Sequence, residues 1–168
     1  MIRLLGAAFL VAGSGGFGFL LAASHRREMK MLQCLIHGVQ EMEWELKYRM
    51  TELPELCLIG ANAAGGVQKE ILADLAGRLS RGEVNNISGC MNAILSKFTL
   101  PNHVRKNLRQ LGLSLGRFDL EGQIQGLEAV RMQCRKDLKD LKEGSSQRMR
   151  NYQTLALCAG LALAVLFI

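Results

Sequence analysis

Both ends of this chain are free of charge. Residues 4–24 contain no Asp, Glu, Lys or Arg, residues 151–168 contain none either, and all 15 acidic residues lie between Glu28 and Glu143. A helix that crosses about 30 Å of hydrocarbon needs about 20 apolar residues at ~1.5 Å each. The first stretch has that length. The second is shorter, with 155–168 almost purely apolar, and spans if the bilayer thins or the terminus rests at the interface. Neither has a polar side, so neither reads as the amphipathic helix of a soluble core. The expected organisation is a transmembrane helix over 1–24, a domain over 25–150 and a second transmembrane helix over 151–168.

The flanking charges orient these spans. His25, Arg26, Arg27 and Lys30 follow the first; Arg148 and Arg150 precede the second; only Arg3 lies on the far side. The positive-inside rule keeps both basic collars, and the domain between them, in the cytosol. The rival reading is a cleaved secretory signal, with Ala22-x-Ser24 as its small-residue cleavage site and an exported helical adaptor as the product. The apolar run is long for a signal, and its basic residues stand after it rather than before it. Cysteine usage agrees with the cytosol. Cys34, Cys57, Cys90, Cys134 and Cys158 are odd in number and have no close pair, the pattern of reduced thiols rather than a disulfide frame. Ser14, Gly18 and Ala22 recur every four residues, as do Ala156, Gly160 and Ala164. Such stripes let two helices approach closely in lipid.

Gly13-Ser14-Gly15-Gly16-Phe17-Gly18 fits a dinucleotide-binding fingerprint. That chemistry needs a strand before the glycines and an amphipathic helix after them. More apolar sequence follows instead, so the match is set aside.

The middle section is helical by its period. Leu32, Ile36, Val39, Met42, Leu46, Met50 and Leu53 form one stripe, which runs the first helix on to about Met50, with Trp44 and Tyr48 flanking it. Pro54 suits the first turn of a second helix, with Thr51 as a cap, carrying Leu56, Leu58 and Ile59 to Gly65-Gly66. A third holds Val67, Ile71, Leu72, Leu75 and Leu79 and stops near Gly82. A fourth holds Val84, Ile87, Met91, Ile94 and Leu95; a fifth, after Pro101, holds Val104, Leu108, Leu111 and Leu115. Asp119 caps a long sixth, striped by Ile124, Leu127, Val130, Cys134, Leu138 and Leu141. Residues 135–143 alternate in charge, the pattern of a solvated face. Gly144-Ser145-Ser146 is either a hinge or a loosened turn of one continuous helix. The fold class is all-α: a cytosolic bundle of about six helices, flanked by the two spans.

No catalytic, cofactor or metal constellation emerges. Cys34 and His37 share a face, but two ligands do not make a four-coordinate site. Glu41 and Glu45 lack the Glu-x-x-His partner of a di-iron bundle. There is no phosphate loop and no nucleophile elbow. The net charge of +6 is met by the collars at lipid head groups, and aromatics are only 5%, which argues against nucleic acid. No small-molecule substrate and no enzyme activity is expected.

Three segments carry a family resemblance. The first is Leu4-Leu5-Gly6-Ala7. The second is Glu43-x-Glu45-Leu46-x-Tyr48-x-x-Thr51-x-Leu53-Pro54-Glu55. The third is Leu111-Gly112-x-x-Leu115-Gly116-x-x-Asp119-x-x-x-Gln123. Together they make the chain resemble the stage III sporulation protein AB family of spore-forming Firmicutes. Arg49 and Glu52 depart from it, standing where the family has Gly and Pro. The resemblance implies a helical domain related to the F-type platform proteins of type II secretion. It also implies a place in the channel apparatus between mother cell and forespore, at the mother-cell membrane surrounding the forespore. There a membrane-anchored platform would dock a partner ATPase and other membrane subunits, alone or as a homo-oligomer. Glu45, Tyr48, Thr51, Pro54, Leu111, Gly112, Leu115, Gly116, Asp119 and Gln123 are the interaction candidates. The same residues have a plainer reading as fold maintenance, Asp119 as a cap and the glycines as tight turns or close crossings.

Overall fold

The structure, a computed structural model, describes the backbone of residues 2–116 and 119–167 and the side chains of 24–116 and 119–144. Six helices and no strand occur among the described residues: α1 (Ile2–Arg49), α2 (Leu53–Ala64), α3 (Gly66–Ser80), α4 (Ile87–Leu95), α5 (Asn102–Ser114) and α6 (Leu120–Phe167).

Local chemistry sets each boundary. α1 ends where Met50 turns left-handed at φ 52°. Two residues later α2 opens with Pro54 in its first turn, where the missing N–H costs no hydrogen bond. Gly65 (φ 67°) and Gly66 (φ 54°) turn the chain from α2 directly into α3. Left-handed backbone strains any residue with a Cβ, so this one-residue corner depends on glycine. Asn86 caps α4, its side-chain oxygen accepting from Gly89 N–H. At the head of α6, Asp119 Oδ1 accepts from Gly122 N–H at 3.1 Å.

The chain divides into two compact units. One is Glu28–Leu138; the other comprises Met1–Arg27 and Lys139–Ile168. In the first, Leu32, Leu35 and Met42 of α1, Ile71, Leu72 and Leu75 of α3, Met91 and Ile94 of α4, Leu108 and Leu111 of α5, and Val130 of α6 are fully buried. Small residues let the helices close on one another. A Cβ on Gly38 would stand 2.8 Å from both Ala64 Cβ and Gly60 O, and one on Gly126 would stand 2.7 Å from Ser114 Cβ. Polar ties cross the same contacts. Arg131 Nε donates to Glu43 Oε2 at 2.8 Å, tying α6 to α1, and Gln68 Nε2 donates to the Met31 carbonyl at 3.1 Å, tying α3 to α1. In the second unit the described side chains include the Lys139–Glu143 pair at 3.8 Å.

Several expectations change. Among the described residues the inventory is six helices: the stretch expected as the first span is continuous with α1, as its stripe implied, and the stretch expected as the second is continuous with α6. No helix among the described residues is long and apolar enough to cross a membrane. The predicted spans fall on side chains outside those residues, as do the stripes Ser14, Gly18, Ala22 and Ala156, Gly160, Ala164. The run through Gly144 is helical, so the continuous alternative holds over the hinge. The α1 stripe stops at Leu46: Met50 is 70% exposed, because the chain leaves the helix there and carries the side chain away from the core. Val84 precedes α4. On α2 the buried face is Leu56, Cys57, Gly60, Ala61 and Ala64, not Leu58. The close crossing at Gly38 selects the small-residue side over the larger apolar one. Asp137, in the charged run read as solvated, is 6% exposed.

Candidate interaction site

The two internal motif segments meet in space. A Cβ on Gly116 (φ 72°) would stand 3.4 Å from Leu53 Cδ2 and far inside contact distance of Ile87 Cδ1. The end of the Leu111–Gly116 motif therefore packs against Leu53 of the Glu43–Glu55 motif, at the start of α2, and any residue with a Cβ at Gly116 would be strained by its left-handed backbone. Gly112 is the same kind of contact: its Cβ position lies 2.7 Å from Met91 Cβ. Leu111 and Leu115 are fully buried.

Glu45 is 8% exposed. Its carboxylate accepts from Thr51 Oγ1 at 3.0 Å and from Arg49 Nη1 at 3.4 Å. This clasp holds the left-handed turn at Met50 closed, so Thr51 fastens the end of α1 rather than capping α2. Pro54 shapes the first turn of α2. Asp119 caps α6 as expected, and Gln123 N–H donates to the Asp119 carbonyl at 3.0 Å. Thus Glu45, Thr51, Pro54, Leu111, Gly112, Leu115, Gly116 and Asp119 all serve the fold.

Tyr48 does not. It is 64% exposed, beside Trp44 at 48% and near Met50 at 70%. The two rings stand 5.4 Å apart at 47°. Lys47 Nζ lies 5.6 Å from the Tyr48 ring, and the Arg49 guanidinium lies 5.5 Å from the Trp44 ring. At these distances each cation is attracted by the ring quadrupole. At exposed sites such attractions are worth about 0.5–1 kcal/mol each and favour this arrangement of the two rings. Trp, Tyr and Arg are the residue types that dominate binding energies at interfaces. Sequence reading singled out Tyr48 but treated Trp44 only as a neighbour. The signal available was their i, i+4 spacing off the buried stripe.

Two other features were not legible from the sequence. Asp137 Oδ2 accepts from Asn107 Nδ2 at 2.7 Å, Oδ1 accepts from Gln133 Nε2 at 2.8 Å, and His103 Nδ1 lies 3.6 Å from Oδ2. This network fixes α5 to α6, and Asn107 Oδ1 is left buried without a donor. The second feature is a cleft of about 630 Å³ beside Gly116, walled by Leu79, Ile87, Leu113 and Leu115. Among the described residues its lining carries no acid, base or thiol. Elsewhere Arg78, donating to Asp74 at 2.9 Å, holds the Asp74 carboxyl below its usual range. That pair lies within α3 and supports the helix surface.

These features define a class: a helical bundle whose motif residues build its turns and crossings, and which exposes a cation-flanked Trp–Tyr pair among the described residues. The stage III sporulation protein AB family model matches residues 3–168, and the chain belongs to that family. A solved structure described as stage III sporulation protein AB (SpoIIIAB) is similar in fold, with a TM-score of 0.61 and 18% identity, covering 71% of this chain and 97% of that one. No curated protein matches the chain.

Proposed function

We propose that this protein is a non-enzymatic membrane platform of the sporulation channel between mother cell and forespore. Its uncharged termini anchor it twice in the mother-cell membrane surrounding the forespore, with the helical domain in the cytosol. The domain docks a partner ATPase and other membrane subunits, in the manner of the F-type platforms of secretion systems. Membership of the sporulation family supports the process. The observation that supports the docking role is the exposed Trp44–Tyr48 ring pair, with Lys47 and Arg49 against the rings. Anchoring at both ends restricts orientation and raises local concentration, so contacts of modest strength suffice.

The test is binding of the full-length protein, in lipid discs, to the ATPase of the same apparatus. Trp44→Ala with Tyr48→Ala weakens binding by about tenfold or more, the loss typical of an aromatic hot spot, while the thermal melting of the domain stays within about 2 °C of wild type. Unchanged affinity contradicts the docking role of this face.

A further inference from the structure

Charge is sorted along the chain in the second half of the unit Glu28–Leu138. Residues 84–118 contain Lys97, Arg105, Lys106, Arg109 and Arg117 and no Asp or Glu, while residues 119–130 contain Asp119, Glu121 and Glu128 and no Lys or Arg. α5 and α6 carry the two signs as stripes. On α5, Asn102, Lys106 and Arg109 are exposed and Leu113 is half-buried; on α6, Glu121, Gln125, Glu128 and Met132 are all exposed. Each set follows the spacing i, i+4, i+7, i+11, which keeps four side chains on one side of a helix. The fold engages these charges only weakly. Lys106 and Arg109 form no ion pair among the described residues; Arg109 Nε donates to Asn92 Oδ1 of α4 at 2.8 Å. Glu121 accepts from Gln125 Nε2 of its own stripe at 3.5 Å. Glu128 lies 3.9 Å from Arg131, whose guanidinium is held by Glu43 at 2.8 Å. Within one chain α5 meets α6 through other residues, Asn107 against Asp137 and Ser114 against Gly126. Met132 is 58% exposed, and Leu113 is one wall of the cleft beside Gly116.

Laid side by side, parallel and in register, the two stripes match at every position. Asn102 faces Glu121. Lys106 faces Gln125, one turn from both Glu121 and Glu128. Arg109 faces Glu128, and Leu113 faces Met132. The antiparallel alignment sets Leu113 against Glu121 and Met132 against Asn102, and so loses the apolar pair. We infer that this chain associates with a second copy of itself, the α5 stripe of one copy against the α6 stripe of the next. The contact uses a different surface on each copy, so it is head-to-tail, and it leaves one stripe of each kind free to extend the assembly. Opposed charges of this sort set register and partner choice more than they add affinity, and Met132 against Leu113 supplies the apolar contact. Trp44 and Tyr48 belong to neither stripe, so the inference stands apart from the docking role proposed for them.

The test is capture of one copy of the full-length protein by a second copy carrying a different tag, in uncharged detergent at about 50 mM salt. Wild-type copies capture each other, and about 0.5 M NaCl lowers the yield. Lys106→Glu with Arg109→Glu opposes two acidic stripes, and Glu121→Lys with Glu128→Lys opposes two basic ones. Each double variant alone loses about tenfold or more of its self-capture. Mixed together, the two variants again set acid against base and recover capture, which neither does if it fails to fold. Trp44→Ala with Tyr48→Ala captures as the wild type does. Absence of capture between wild-type copies overturns the inference, as does capture that the charge reversals leave unchanged or a loss that mixing does not recover. Loss of capture in the Trp44–Tyr48 variant assigns self-association to that ring pair and also overturns it.

Discussion

Gly112 has no room for a side chain. The nearest atom to its missing Cβ is Met91 Cβ, at 2.7 Å, which cannot swing away as a flexible tip could. Gly112→Ala therefore forces α4 and α5 apart and destabilises the domain by about 1–3 kcal/mol, read as a lower urea midpoint at an unchanged slope. An unchanged midpoint would contradict the crossing. The thiols make a second prediction. Burial pushes Cys57 up to about 12, and burial followed by the charge of Asp137 does the same for Cys134. Between the ordinary thiol value of 9.0 and about 12, the unfolded chain gives up protons that the folded one keeps, so stability falls as pH rises through that window. At neutral pH the two thiols resist alkylation while Cys34 and Cys90, partly exposed, react first; mass spectrometry of the alkylated native protein reads the order. Single residues were legible where their chemistry is local: Asp119 as a cap, Pro54 in a first turn, Gly65 and Gly66 at a corner. Asp137 and Met50 were not. Burial of Asp137 depends on Asn107, 30 residues away, and exposure of Met50 depends on a turn that Glu45 and Thr51 fasten after the helical pattern has ended.

At the scale of elements, α1 and α6 are joined by the Arg131–Glu43 pair, two-pronged at 2.8 and 3.4 Å, with both side chains about four-fifths buried. Removing one partner strands a charge in a poorly solvated place, and such losses cost about 3–5 kcal/mol when the pair is fully buried. Partial exposure reduces the figure here. Glu43→Gln and Arg131→Gln each lower the urea midpoint, and the double variant costs less than the sum of the two. A strictly additive cycle would show that the pair is not coupled. All six helices were readable from periodicity and punctuation, because apolar spacing reports which side of a helix meets a core. Which side of α2 meets α1 was not readable. Leu58 outweighs Ala61 and Ala64 in hydrophobicity, yet the contact goes to the small residues because Gly38 allows two backbones to approach there. Distance of approach is a property of the pair of helices, and a single helix's pattern does not contain it.

The whole molecule separates its tasks along the sequence. Motif residues close turns and crossings, while Trp44 and Tyr48 near the end of α1 stay exposed. For the motif segments sequence reading offered both interaction and fold maintenance; Gly116 against Leu53 and Glu45 against Thr51 agree with the second. The face that remains is marked by exposure, which a linear pattern gives only indirectly. The central claim is that both ends hold the chain in one membrane with the domain on the cytosolic side. Protease digestion of full-length protein in sealed vesicles of both orientations, after washing at alkaline pH, tests it most directly. The account predicts that the protein stays with the lipid through the wash, and that residues 25–150 are cut only in inside-out vesicles. Release into the wash, or digestion of the domain in right-side-out vesicles, would contradict it.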